Sequence, residues 1–172
     1  VDGVDLAVRR REAVGLVGES GCGKTMTAFS IMRLVPSPPG EIVEGRVVFE
    51  GTNLLDLSEK EMQSKRGGSL SMVFQDPMTY LNPVMKIGDQ IAEAILRHQK
   101  VSRYNAREVA LEALKKVRIS TPSTVFGYYP HQLSGGMRQR ALIAMAISCS
   151  PELLIADEPP TLLDVTVQPP SL

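Results

Sequence analysis

Gly18-Glu19-Ser20-Gly21-Cys22-Gly23-Lys24-Thr25 fits the pattern G-x-x-x-x-G-K-[ST]. The glycines let successive main-chain N–H groups turn into one concavity. A helix starting there adds positive partial charge, so the segment is built to cradle phosphate oxygens. Gly18, Glu19, Ser20, Gly21, Cys22, Gly23, Lys24, Thr25 and the nearby Thr27 are therefore the candidate phosphate-binding residues. The Lys24 ammonium would neutralise the β- and γ-phosphates of a nucleoside triphosphate, and the Thr25 hydroxyl would ligate Mg²⁺. A glycine turn with a chance lysine is the plainer reading. The strand predicted before the loop and the helix predicted after it weigh against that.

A second group of residues lies far along the chain. Leu153-Leu154-Ile155-Ala156-Asp157-Glu158 is an apolar run ending in two carboxylates. Asp157 is placed to hold Mg²⁺ and Glu158 to polarise an attacking water. Alone, this would be a strand ending in a solvated acidic turn; beside a phosphate loop it becomes the second half of a hydrolytic site. Leu133-Ser134-Gly135-Gly136-Met137-Arg138-Gln139-Arg140 supplies a third element. Ser134 and the amides of Gly135 and Gly136 at a helix start form a second phosphate nest. One chain already has one such loop, so a second nest implies ATP sandwiched between two such domains.

The elements that must position these residues follow from periodicity. Val4, Leu6 and Val8 alternate, the chain turns through Arg9-Arg10-Arg11-Glu12, and Ala13 to Val17 is apolar, which predicts two strands. Lys24 to Leu34 predicts a helix, ended by Pro36-Ser37-Pro38-Pro39-Gly40. Arg46 to Phe49 reads as a strand and Glu50-Gly51-Thr52-Asn53 as a turn. Ser58 with Glu61 is a capping box opening a short helix. Leu70 to Phe74 reads as a buried strand. Asp76-Pro77 and Asn82-Pro83 bound a loop, followed by helices over about 86–99 and 103–118. In the second of these Ala106, Val109, Ala110, Ala113, Leu114 and Val117 share one face. Gly127-Tyr128-Tyr129-Pro130 interrupts, Gly136 to Ser148 is helical, and Glu152 to Ala156 is a last buried strand.

The Leu133 to Arg140 segment resembles the signature of ABC ATPases, and it precedes the Asp157-Glu158 strand as it does in that family. The resemblance implies an α/β fold with a P-loop NTPase core of RecA-like type, residues 1–76 and 150–172, and an inserted helical subdomain, 77–149, carrying the signature. It implies ATP and Mg²⁺ as cofactors, with Lys24, Gln75 and Glu158 catalytic and Thr25, Gln75 and Asp157 as metal ligands. Ser134, Gly135, Gly136 and Gln139 would meet the ATP of a second ABC subunit, and Asp164 would reach across the dimer. Phe74-Gln75-Asp76-Pro77-Met78-Thr79-Tyr80-Leu81-Asn82-Pro83, Tyr129-Pro130-His131-Gln132 and Asp164-Val165-Thr166-Val167-Gln168 look like the ATP-binding subunits of bacterial dipeptide, oligopeptide and nickel importers. The implied partners are transmembrane permease subunits and, indirectly, a periplasmic or surface substrate-binding protein. The implied place is the cytoplasmic face of the inner membrane.

Departures from the pattern set further expectations. Arg11 stands where the family has a turn glycine, so a left-handed residue is expected to be strained or the turn reshaped. Pro160 and Leu162 replace a threonine and an alanine, which puts the geometry near Asp164 in doubt. Val1 and the Pro169-Pro170-Ser171-Leu172 end read as cut points, with the family's switch histidine and adenine-stacking aromatic outside them. Nucleotide binding with weak or absent hydrolysis is the expectation for the chain alone. His131 reads as structural, and Cys22 as a small loop residue.

Bulk composition sets the outer bounds. The 172 residues are 43% hydrophobic and 22% charged, with 19 basic and 19 acidic residues and no net charge. That is globular composition with no basic field for nucleic acid. Cys22 and Cys149 are too few and too far apart for a disulfide framework, and no secretory signal opens the chain. Two rival readings remain: a soluble ABC-class ATPase acting in translation or DNA maintenance, and a nucleotide-binding fragment without hydrolysis.

Overall fold

The computed structural model describes residues 1, 3–74 and 76–157. They form two compact units, Val1–Arg66 and the segment from Gly67 onward.

In the first unit the Arg9–Glu12 turn forms as expected. Glu12 N donates to Arg9 O at 3.1 Å, and Arg9 N donates to the Glu12 carboxylate at 2.6 Å. Arg11 takes the left-handed conformation, φ 62°, so the position where a glycine was expected keeps glycine's backbone geometry. The strands predicted on either side do not form: Val4, Leu6, Val8, Val14 and Leu16 are exposed, and Val17 is 94% exposed. Alternation marks which face a strand would bury. It does not supply the neighbour, and two strands alone are marginal in water.

Helix α1, Lys24–Met32, ends in a left-handed Arg33, with Leu34 N reaching back to Phe29 O at 2.8 Å and Arg33 N to Ser30 O at 3.2 Å. This paired closure satisfies carbonyls that the helix end leaves over. Two arginines then fix the helix end. Arg66 donates to Met32 O at 2.7 Å and Arg33 O at 2.8 Å, while Arg33 donates to Leu54 O at 3.1 Å and Leu57 O at 2.6 Å. The predicted strand at 46–49 shortens to β1, Val48–Phe49, and part of the predicted turn becomes β2, Thr52–Asn53. The reason is local: Glu50 and Gly51 both have positive φ, which closes a two-residue hairpin of the twist that strands favour. A single 3₁₀ turn, Leu54–Asp56, leads to α2, Glu59–Lys65, whose capping box is complete: Glu61 N donates to Ser58 Oγ and Ser58 N to the Glu61 carboxylate.

The second unit begins with β3, Leu70–Val73, which pairs in parallel with β4, Leu153–Ala156, in the register Leu70↔Leu153 to Val73↔Ala156. β3 is buried throughout. β4, expected to be buried, alternates instead, with Leu154 exposed, because β3 is its one hydrogen-bonded neighbour among the described residues. Between the two strands run α3 (Pro77–Tyr80), α4 (Ile87–His98), α5 (Arg103–Lys116), α6 (Pro122–Phe126) and α7 (Gly135–Ile147). α3 falls inside the stretch expected to be a loop, and α6 was not anticipated.

Ile87, Ile91 and Ile95 recur every fourth residue on α4 and share one core with Ala106, Ala110, Ala113 and Leu114 of α5 and Ala141, Leu142 and Ala144 of α7. Spacing of this kind puts one stripe of each helix inside, and the small alanines let the axes approach. The predicted α5 face is therefore observed, with Val109 and Val117 at its partly buried margin. Gln90, also buried, satisfies its whole carboxamide on the backbone before α4. It accepts from Asn82 N at 2.9 Å and donates to Asn82 O at 3.0 Å and Met85 O at 2.9 Å. Among the described residues no helix is long and apolar enough to cross a membrane.

Candidate functional site

The phosphate loop is shaped by its glycines. Gly21 and Gly23 have φ of 84° and 98°, values that side-chain-bearing residues rarely adopt. Gly18 matters for space instead: a methyl group there would come within 2.6 Å of Cys22 Sγ. Cys22 N closes the turn on Glu19 O at 3.3 Å, and Glu19, Ser20 and Cys22 are exposed along the loop. Gly23 then begins α1 without any side-chain cap, so the helix opens on main-chain donors.

Lys24 closes the loop into a ring. Its ammonium donates to Gly18 O at 2.7 Å and Glu19 O at 2.8 Å and lies 3.7 Å from Cys22 Sγ. A cation thus sits in the mouth of the loop, held by neutral carbonyls that an anionic phosphate oxygen would outcompete. Thr25 is half-buried in the first turn of α1. Thr27, two positions further, donates its hydroxyl to Gly23 O at 2.9 Å, the same carbonyl that receives its own N–H at 2.8 Å. Thr27 therefore supports the loop's last glycine in this arrangement.

The segment expected to form a second nest opens α7. Ser134 caps the helix with its hydroxyl, accepting from Met137 N at 3.4 Å, and Ser134, Gly135 and Gly136 are exposed. Both glycines have ordinary helical backbones, and a methyl group built on either meets nothing within 4 Å. Nothing among the described residues requires glycine there, while glycine costs a helix about 1 kcal/mol relative to alanine. Gln139 differs from its neighbours: it is only 8% exposed, and its Nε2 has no hydrogen-bond partner among the described residues.

The acidic strand ends as the sequence suggests. Asp157 N donates to Val73 O at 3.0 Å, extending the parallel pairing, so Phe74 and Asp157 emerge at the same edge. Asp157 is half-buried. Gln75, Glu158, Pro160, Leu162 and Asp164 lie outside the described residues. Arg138 is the residue whose part the sequence did not reveal: its Nε donates to Pro130 O at 2.7 Å. A cation in the first turn of a helix, against the helix dipole, is the signal that could have marked it.

The fold is that of an ABC transporter cassette. The chain superposes on the dimeric structure of MJ0796, a bacterial ABC transporter cassette, with a TM-score of 0.80 and 29% identity, covering 94% of this chain and 66% of that one. A model of the ABC transporter family matches residues 1–161, and the chain belongs to that family. It is 58% identical over 166 residues to the probable peptide ABC transporter ATP-binding protein y4tR of Sinorhizobium fredii, covering 96% of this chain and 50% of that protein. It is 51% identical over 168 residues to the oligopeptide transport ATP-binding protein OppD of Bacillus subtilis, covering 98% and 47%. The chain spans about half the length of the curated relatives it matches.

Proposed function

We propose that this chain binds Mg-ATP and, paired head to tail with a second ABC subunit, hydrolyses it to energise import of peptides through transmembrane permease subunits. The observation that carries this reading is a pair of glycine-bearing helix starts in one chain, each of which we read as a phosphate nest. One is closed by a lysine, and the other is a bare glycine pair on an exposed helix start. A chain that binds one nucleotide at its loop has a second nest left over, and a sandwich of two chains uses all four.

On this reading Gly18 to Gly23 cradle the phosphates, and Lys24 exchanges the Gly18 and Glu19 carbonyls for phosphate oxygens. Thr25, Gln75 and Asp157 would hold the metal, which supplies charge neutralisation on the phosphates. Glu158 and Gln75 orient the water, and Asp164 reaches the partner. Ser134, Gly135 and Gly136 close on the partner's nucleotide. The division into a P-loop core, 1–76 and 150–172, and a helical subdomain, 77–149, belongs to the same proposal. So do a substrate-binding protein outside the membrane and a place on its cytoplasmic face. The peptide cargo rests on likeness to relatives such as OppD, named for oligopeptide transport.

Calorimetric titration of Mg-ATP into wild type and Lys24→Ala tests the binding step. Turnover of the complex assembled with its permease, with and without Glu158→Gln, tests the chemistry. Equal affinity in the first pair, or undiminished turnover in the second, would sink the reading.

A further inference from the structure

We infer that Arg138 is a positioning residue for the second nest, acting through the Pro130 carbonyl; the inference rests on the two-chain function proposed above. The first turn of α7 is poorly held by its own residues. Gly135 and Gly136 are weak helix formers with no side chains to pack, and the Ser134 cap is long at 3.4 Å. A cation beside a helix N-terminus opposes the dipole, so local helix stability does not account for Arg138 either.

The Arg138 Nε ties the turn to the segment before it. It donates to Pro130 O at 2.7 Å, and the same carbonyl accepts from Leu133 N at 3.1 Å. Pro130 and Leu133 are buried, and from Ala141 onward the helix is fixed by the core. The exposed residues Ser134, Gly135 and Gly136 thus span from a buried anchor to a side chain that reaches back over them. Without the tie the turn frays while the rest of α7 stays in place, and the nest loses its shape.

Two substitutions separate the hydrogen bond from the charge. Arg138→Gln puts an amide N–H at the chain position of Nε and removes the charge; Arg138→Met keeps the stem and puts a methyl group there. The experiment measures nucleotide-driven pairing of the full chain by sedimentation with a non-hydrolysable ATP analogue, together with each chain's own affinity for that nucleotide. Arg138→Met is expected to weaken pairing at least tenfold, with its own-site affinity within twofold of wild type. Arg138→Gln is expected to pair within threefold of wild type. Mixing Arg138→Met with Lys24→Ala is expected to restore pairing, because one loop and one nest then remain intact at the same composite site. A general loss of structure would not be rescued in that way.

Wild-type pairing by Arg138→Met, a Gln variant as weak as the Met variant, or a parallel loss of own-site affinity would each overturn the assignment. If the wild-type chain itself binds nucleotide yet never pairs, the two-chain function fails and the assignment falls with it.

Discussion

Gly88 lies directly against the ring of Phe126: a methyl group added at Gly88 would come within 2.1 Å of the ring's Cγ. The Arg107 guanidinium also lies over that ring, 4.4 Å from the centroid. Glycine at the second residue of α4 is therefore a requirement of space, since its backbone is ordinary helix. Gly88→Ala should force α4 away from α6 and cost about 1–3 kcal/mol, the usual range for overpacking. Urea denaturation checks this, and an unchanged midpoint would show that the contact yields freely.

Gly135 and Gly136 make the opposite case. Both sit in helix with open space around the absent side chain, so alanine should stabilise the start of α7, by up to about 1 kcal/mol at each position. If the bare pair exists to admit a nucleotide held by another chain, the same change should cost function. Gly136→Ala is expected to melt no lower than wild type and to lose most of its ATP-driven pairing. A variant that gains stability and pairs normally would remove the reason offered here for the glycines.

Legibility in the sequence followed contiguity. Ser58 and Glu61 are three residues apart and act on each other's backbone, so the start of α2 could be read directly. The phosphate loop is one unbroken segment whose glycines announce their own backbone demands. The α5 face was legible because Ala106 through Val117 repeat at helical spacing. What failed was non-local. Val4 to Val8 and Ala13 to Val17 have strand patterns, but pairing needs a neighbour that no local pattern supplies. Thr52–Asn53 became a strand because Glu50, not only Gly51, took positive φ. The α6 start was marked by Pro122 in a first-turn position and could have been found. The Arg138 to Pro130 tie joins a side chain to a carbonyl eight residues away, and such ties leave no periodic trace.

Arg11 offers a test of backbone strain. It is the left-handed member of the Arg9–Glu12 turn, a conformation costing a side-chain-bearing residue roughly 1–2 kcal/mol. Glycine adopts it freely but is also looser in the unfolded chain, which offsets part of the gain. Arg11→Gly should therefore stabilise the turn by about 1 kcal/mol or less, seen as slower amide exchange at Glu12, whose N–H closes the turn. Faster exchange at Glu12 would mean that the Arg11 side chain holds the turn in some other way.

The capping box at α2 gives a dependence on acidity whose sign can be worked out. The Ser58 hydroxyl, and then its backbone N–H, hold the Glu61 carboxyl below its ordinary value of 4.5. Glu59 is lowered likewise, first by its hydrogen bond from Arg66. A carboxyl whose folded value is depressed stabilises the fold above its unfolded value, and that contribution disappears as pH falls through the folded one. Both groups are exposed, so the effect is local to the helix start. Amide exchange at Glu61, corrected for the intrinsic rate, should accelerate as pH drops below the ordinary glutamate range. Glu61→Gln keeps an oxygen to accept from Ser58 but cannot titrate, so its exchange at that amide should respond to acid only through the Glu59 to Arg66 pair. Identical acid sensitivity in the two proteins would mean that the Glu61 charge plays no part in holding the cap.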